Sequence, residues 1–247
     1  MKDRKRYVLV HGAWHGGWCW NYVRPVLEAA GAQVFTPTLT GLGERAHLHA
    51  QVPSLEDHIQ DAIGVIESEE LSDIVLVGHS YAGLVTTAVA DRLKSKIGHL
   101  VYLDAPVPKD GDDFASHIPN IEPANAELRR AAFRAMAPDG VWLPAPPPQV
   151  VGVENDKDAA WLRRRLTPHP LKTWLEPVAL RNGGHAGLPK TYVLATKPPT
   201  TIMGYPVHGE VAKAGKDWTY REIGCGHDMM IVEPAATAQL LLEAGGA

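Results

Sequence analysis

An α/β architecture, with a mostly parallel central sheet flanked by helices and a helical lid inserted after a strand that ends at Asp104, is predicted by three observations. Short β-branched runs alternate with stretches of helical periodicity, the pattern of parallel strands covered on both faces. The alternation breaks once, from about Pro106 to about Gly187, where the sequence turns polar and proline-rich for longer than a plain connection needs. With 247 residues, ordinary apolar content and 21% charged residues, the chain is long enough for one large core, and one α/β domain fits. The expected division is a core of 1–105 and 188–247, with 106–187 as the lid.

Tyr7-Val8-Leu9-Val10 reads as a buried strand that delivers the chain into the loop from His11 to Trp18. From Trp18 a helix carrying Val23, Val26, Leu27 and Ala30 is expected to run to Gly31, which suits a cap, before the strand Gln33 to Thr36. Pro37 to Arg45 is glycine-punctuated, too polar for a strand and too broken for a helix, and is expected to line the edge of a site. Ser54, followed by Glu56 and Asp57, marks a helix start with Leu55, Ile59, Ile63 and Ile66 as the buried stripe. Ile74 to Val77 is a strand ending at Gly78, after which Val85, Ala88, Val89 and Leu93 recur at helical spacing. His99 to Leu103 is the next buried strand. Within 106–187, helical patterns cover Glu127 to Met136 and Asp158 to Leu166, and Trp142, Trp161, Leu171 and Trp174 supply apolar groups for packing. The sheet resumes with Thr191 to Ala195. A helix over Val207 to Ala214, a strand over Trp218 to Ile223, the run Gly224 to Met230 and a closing helix Pro234 to Glu243 complete the chain.

The formal net charge of −4, with no Lys/Arg cluster beyond Lys2 to Arg6 and Arg163-Arg164-Arg165, gives no electrostatic footprint for nucleic acid. The triple arginine is read as a solvated helix face. No apolar signal region follows the charged Met1 to Arg6 and no stretch is long enough to span a membrane, so a cytoplasmic protein without a membrane partner is expected. Cys19 and Cys225 lie far apart without a ligand pattern, and reduced thiols are the default. No metal and no organic cofactor is expected, because no His/Cys/Asp/Glu cluster has ligand spacing and a side chain can serve as the nucleophile. Association as a homodimer is left open.

In parallel α/β sheets functional side chains gather beyond the carboxyl ends of the strands, where Ser80, the His11 to Gly17 loop, Asp104 and His227 all fall. Val77-Gly78-His79-Ser80-Tyr81-Ala82-Gly83 approximates the nucleophile elbow G-x-S-x-G, in which small residues flank a serine on a strained strand-to-helix turn. Here Ala82 takes the second small position, with Gly83 behind it. The plainer alternative is a glycine-bounded turn with an idle serine. Glycines on both sides of Ala13-Trp14 let backbone amides turn inward, as donors for a developing oxyanion must. An ordinary glycine-rich turn after the first strand is the alternative there.

Val8 to Trp18, Leu39 to Arg45, Val77 to Gly83 and Gly226-His227 together resemble the α/β-hydrolase superfamily, in its branch of plant methylesterases, hydroxynitrile lyases and bacterial esterases. The resemblance implies an α/β-hydrolase fold and a serine esterase acting on a small-molecule ester. It implies Ser80 as nucleophile, His227 as general base, and the amides of Tyr81 and Ala13, or Trp14, as the oxyanion hole. His11, His15 and His79 are read as structural or pocket-lining. The family usually places the acid after the strand corresponding to Thr191 to Ala195, where this chain reads Thr196 to Thr201 without a carboxylate. Asp228 adjoins His227 and is badly placed to reach its Nδ1. Asp104 ends the strand following the elbow helix and keeps the order serine, acid, histidine, as in some lipases, so it is the candidate acid; a turn aspartate is the alternative.

Two other activities belong to the same resemblance. Hydroxynitrile lyases of this branch carry threonine where Gly12 stands and, in plant members, lysine where Asp228 stands; this chain has neither. Plant hormone receptors share the fold, so a catalytically weak ligand-binding protein is the third reading.

Overall fold

The structure, a computed structural model, describes residues 4–117, 126–197 and 205–246. Its strands are β1 (Arg6–Val10), β2 (Gln33–Phe35), β3 (Ile74–His79), β4 (Ile97–Leu103), β5 (Trp142–Leu143), β6 (His169–Pro170), β7 (Lys190–Ala195) and β8 (Thr219–Ile223). Six form one sheet in the order β2-β1-β3-β4-β7-β8, parallel at every pairing; β5 and β6 pair antiparallel apart from it. Alternate side chains feed two cores. Val8, Val10, Leu76 and Leu100 point to one face, and Tyr7, Leu9, Val75, Val77 and Val101 to the other. The central strands are therefore buried on both sides, which is why they read as continuous apolar runs.

Helix α1 (Arg24–Ala29) is shorter than the periodicity suggested, being preceded by a separate 3₁₀ turn over Gly17–Trp20. Pro25 sits in its first turn. A proline cannot donate the bond an interior position requires, so the helix restarts there. As a result Val23 and Leu27 are buried while Val26 and Ala30 are exposed. A second departure lies over Gly43–Gln51, a 3₁₀ helix whose first turn, Gly43 to Arg45, falls in the stretch expected to be loop. None of its residues is buried, so no apolar stripe advertised it. Helix α2 (Leu55–Ser68) starts as expected: Ser54 accepts from the Asp57 N–H while Asp57 accepts from the Ser54 N–H, a reciprocal capping box.

Helix α3 (Ala82–Arg92) packs between β3, β4 and α2. The segment after β4 carries α4 (Ala126–Met136), α5 (Asp156–Arg163) and α6 (Lys172–Leu175); residues 118–125 of the expected lid lie outside the described residues. Its apolar groups join both cores. Leu171 and Trp174 belong to the face of α2 and α3, whereas Trp161 stacks on Tyr22 at 5.2 Å on the opposite face. Helices α7 (Pro206–Ala214), α8 (Met229–Val232) and α9 (Pro234–Gly245) finish the chain. Among the described residues no helix is long and apolar enough to cross a membrane, and Cys19 and Cys225 are both free and buried.

Candidate active site

The sheet's hydrogen bonding continues past the strand ends and sets the first two residues. Ser80, directly after β3, donates its N–H to the Leu103 carbonyl at 3.2 Å; Asp104, directly after β4, donates to Val193 at 2.8 Å. Both then take left-handed backbone, φ 52° at Ser80 and 42° at Asp104. For non-glycine residues this conformation costs on the order of 1–3 kcal/mol and persists where the surroundings over-determine it. The crowding after the serine falls on Gly83, where an added Cβ would run into the Pro106 carbonyl oxygen. Ala82, the departure from G-x-S-x-G, is accommodated fully buried.

His227 follows β8 in the loop to α8. Its Nδ1–H donates to Asp104 Oδ2 at 2.6 Å, while Asp104 Oδ1 accepts the Tyr205 N–H at 3.3 Å. Both oxygens of the buried carboxylate thus have partners. His227 Nε2 has no hydrogen-bond partner among the described residues. Ser80 and His227 share neighbours: His79 donates from Nε2 to the His227 carbonyl at 3.0 Å, and the Tyr205 ring lies 6.1 Å from the His227 ring. The Tyr205 hydroxyl faces Ser80 without closing an aligned hydrogen bond, and burial raises its pKa so that it stays a phenol. Ser80, Asp104 and His227 are each at most 2% exposed.

The loop after β1 is held by histidines. His11 Nδ1–H donates to the Gly12 carbonyl at 2.8 Å and its Nε2 accepts the Leu39 N–H at 3.0 Å. The Trp14 N–H donates to His169 Nδ1 at 3.3 Å, and His169 Nε2–H reaches Thr173 at 2.9 Å. His58 Nε2–H donates to the Thr40 carbonyl and its Nδ1 accepts from the Tyr81 hydroxyl, both at 2.9 Å. Each of these three rings has one donor and one acceptor partner, which fits a neutral imidazole of fixed tautomer. Burial lowers their pKa values in agreement, to about 3 for His11, to about 4 for His58 and well below 6.5 for His169. Of the two amides the sequence offered at this loop, the Trp14 N–H is therefore already engaged, and the Ala13 N–H has no hydrogen-bond partner among the described residues. The Tyr81 N–H, just before α3, also has no hydrogen-bond partner among the described residues.

Phe114 and Tyr205, which no motif in the sequence marks, complete the setting. Trp14, Trp174, Phe114 and Tyr81 form a ring chain with centroid separations of 4.7–5.4 Å, and Phe114 continues to Tyr205 at 6.3 Å. Asp228 does not approach His227 Nδ1; its Oδ2 instead accepts from His15 Nε2 at 3.0 Å. No local spacing could reveal that pair, 213 residues apart. The same folding brings ligand atoms of His79, His227 and Asp228 within 4.8 Å of one another, a grouping the search for metal-ligand spacing in the sequence did not find. Each of the three already has hydrogen-bonding work, to the His227 carbonyl, to Asp104 and from His15 respectively. A cation bound there through Nε2 would occupy the lone pair a general base needs.

Residues 7–240 match the alpha/beta hydrolase family. Over 243 residues, 97% of this chain and 99% of the relative, the sequence is 42% identical to the carbendazim hydrolyzing esterase of Nocardioides sp. (strain SG-4G). It is 39% identical to methylesterase 9 of Arabidopsis thaliana over 105 residues, 42% of this chain and 41% of the other. Among solved structures, an extracellular alpha/beta-hydrolase from a Paenibacillus species aligns with a TM-score of 0.84 over 98% of this chain and 100% of its own, at 23% identity, a likeness of fold.

Proposed function

This chain belongs to the alpha/beta hydrolase family and is a carboxylic ester hydrolase, and from that premise we propose that it cleaves small hydrophobic esters through an acyl-enzyme on Ser80. Ser80 Oγ attacks the ester carbonyl carbon as its proton passes to His227 Nε2. The oxyanion so formed is held by the N–H groups of Ala13 and Tyr81. Collapse expels the alcohol, which takes the proton from His227; a water molecule then repeats the sequence and releases the acid. Asp104 holds the Nδ1–H tautomer and stabilises the imidazolium. The observation that carries this reading is the 2.6 Å bond from His227 Nδ1 to Asp104, which leaves Nε2 without a partner on a ring 4.6 Å from that of His79, the residue before Ser80.

The chain Trp14, Trp174, Phe114 and Tyr205 favours an aromatic or otherwise apolar acyl or alcohol group. The segment 106–187, which contributes Phe114 and Trp174, serves as the lid. Carbendazim, named for the Nocardioides relative, heads the panel of substrates to try, beside phenyl and short-chain esters. Lyase activity is disfavoured sterically: a side chain at Gly12 would meet His79 Nδ1 and Ser80 Cβ, each at 2.9 Å, so the lyase threonine does not fit. The test is covalent labelling with a fluorophosphonate, located by mass spectrometry, beside a mandelonitrile cleavage assay. Label on Ser80 with ester turnover is expected; folded protein that takes no label would favour a binding protein instead.

A further inference from the structure

His15 differs from the three neutral histidines around it. Its Nδ1 faces the Ala13 carbonyl at 2.7 Å and its Nε2 faces Asp228 at 3.0 Å, and both partners are acceptors. A neutral imidazole has one N–H and can satisfy only one of them. The shared proton belongs on the stronger base, which between imidazole and carboxylate is the imidazole. We infer that His15 is an imidazolium at neutral pH, held by Asp228, whose Nδ1–H clamps the Ala13 carbonyl and so positions the amide on which the proposed esterase reaction depends.

The surroundings support one cation and one anion at this place. Asp228 and His15 are both buried, His15 stacks on the Trp18 indole with centroids 5.4 Å apart, and an indole face favours a cation. The other titratable groups close to the pair are His11, His79 and His169, all driven neutral by burial, Cys19 and Cys225, whose thiols burial pushes up, and His227. Burial alone would lower the pKa of His15, but the Asp228 charge and hydrogen bond raise it; burial would raise that of Asp228, but His15 holds it low.

The clamp acts on two successive peptide planes. His11 holds the Gly12 carbonyl, so the Ala13 N–H of that trans peptide points the other way. His15 and His169 hold the next plane at its two ends, the Ala13 carbonyl and the Trp14 N–H, and Trp14 is left at φ 64°. Ala13 is thus pinned from both sides. Because Asp228 adjoins His227, one ion pair ties the loop carrying the general base to the loop carrying the oxyanion donor. His15 is a positioning residue and touches no reacting atom.

The test is ¹⁵N NMR of histidine-labelled protein at pH 7.5, where an ordinary histidine is roughly nine-tenths neutral. We expect both ring nitrogens of His15 to be protonated in the wild type and one to lose its proton in Asp228→Asn. A misaligned donor should cost less than the 10²–10³-fold of a deleted one, so Asp228→Asn and His15→Leu should lower kcat about 10- to 100-fold with KM within about threefold. His15→Asn, whose amide Nδ2–H stands where Nδ1–H does, should recover part of the His15→Leu loss. A neutral His15 in the wild type overturns the inference, as does Asp228→Asn with kcat within about twofold of wild type. If Asp228→Asn fails to fold, the wild-type spectrum and the two His15 variants decide. Wild-type protein without ester turnover or Ser80 labelling would defeat the functional reading alone and leave the NMR result standing.

Discussion

Two buried aspartate–histidine pairs lie at the loop after β1 and at the loop after β8, and they differ in what their second ring nitrogen meets. In Asp104–His227 the carboxylate takes Nδ1–H and leaves Nε2 free. In Asp228–His15 it takes Nε2–H while the remaining nitrogen is committed to a backbone carbonyl. What the second nitrogen meets decides the role: a free lone pair can accept a proton, and a committed N–H can only hold something in place. Proximity of a carboxylate to a histidine is therefore weak evidence for a general base until both ring nitrogens have been followed.

The largest expected effect breaks the first pair. Asp104→Asn should leave the fold intact and reduce kcat near neutral pH by several orders of magnitude, approaching the roughly 10⁴-fold loss known for an aspartate-to-asparagine change in a serine protease triad. Ser80→Ala and His227→Ala measured beside it, with circular dichroism for folding, set the scale. A rate within about tenfold of wild type, or ~1.4 kcal/mol, would move the acid elsewhere.

Next in size is Gly12→Thr, which places a side chain between the two regions, against His79 and Ser80. Overpacking of this kind typically costs about 1–3 kcal/mol, so a lower melting temperature and reduced ester turnover are expected, with no mandelonitrile cleavage gained. Cleavage at a measurable rate would show that the loop can relax and that the pinned geometry is overstated. Tyr81→Phe separates side chain from backbone at the opposite donor. Removing the phenol strands the buried His58 Nδ1, at a cost of about 1–3 kcal/mol in stability by denaturant melt. The Tyr81 N–H is untouched, so kcat should stay within about threefold. A larger loss would assign the hydroxyl a part in the chemistry.

The sheet was legible in the sequence because Ile74 to Val77 and its neighbours are buried on both faces and read as unbroken apolar runs. The contact of Asp104 with His227 was legible because the customary acid position holds no carboxylate and Asp104 ends a strand between Ser80 and His227 in chain order. The structure brings Asp104 to His227 through the extension of β4, as strand order alone would suggest. The engagement of Trp14 was not legible, since His169 arrives from a proline-rich stretch 155 residues away. Asp228 shows the limit clearly. Sequence adjacency excluded it as the partner of His227 Nδ1 but could not say that it turns toward His15. Helix α1 was misread because Val26 continued the stripe past Pro25, and a missing backbone donor outranks periodicity.

The smallest effect, and the one that isolates the second pair, is the pH dependence of stability. His15 has its folded pKa raised above 6.5, so its contribution is fully present below that pH and is lost as pH rises through the raised value. Asp228 has its folded pKa lowered below 3.8, so its contribution is present above that pH and is lost as pH falls through the lowered value. The pair therefore stabilises most between these limits. Denaturant melts of wild type and Asp228→Asn from acid to alkaline pH should show their stability difference shrinking above about pH 6.5, by no more than about 1.4 kcal/mol per pH unit. In Asp228→Asn the anion is gone, burial keeps His15 neutral, and the sign of its contribution reverses: protonation then opposes folding as pH falls. Groups unaffected by the substitution cancel in the difference. A difference that stays flat from pH 6 to pH 9 would mean that His15 carries no charge, and the two pairs would then differ only in geometry.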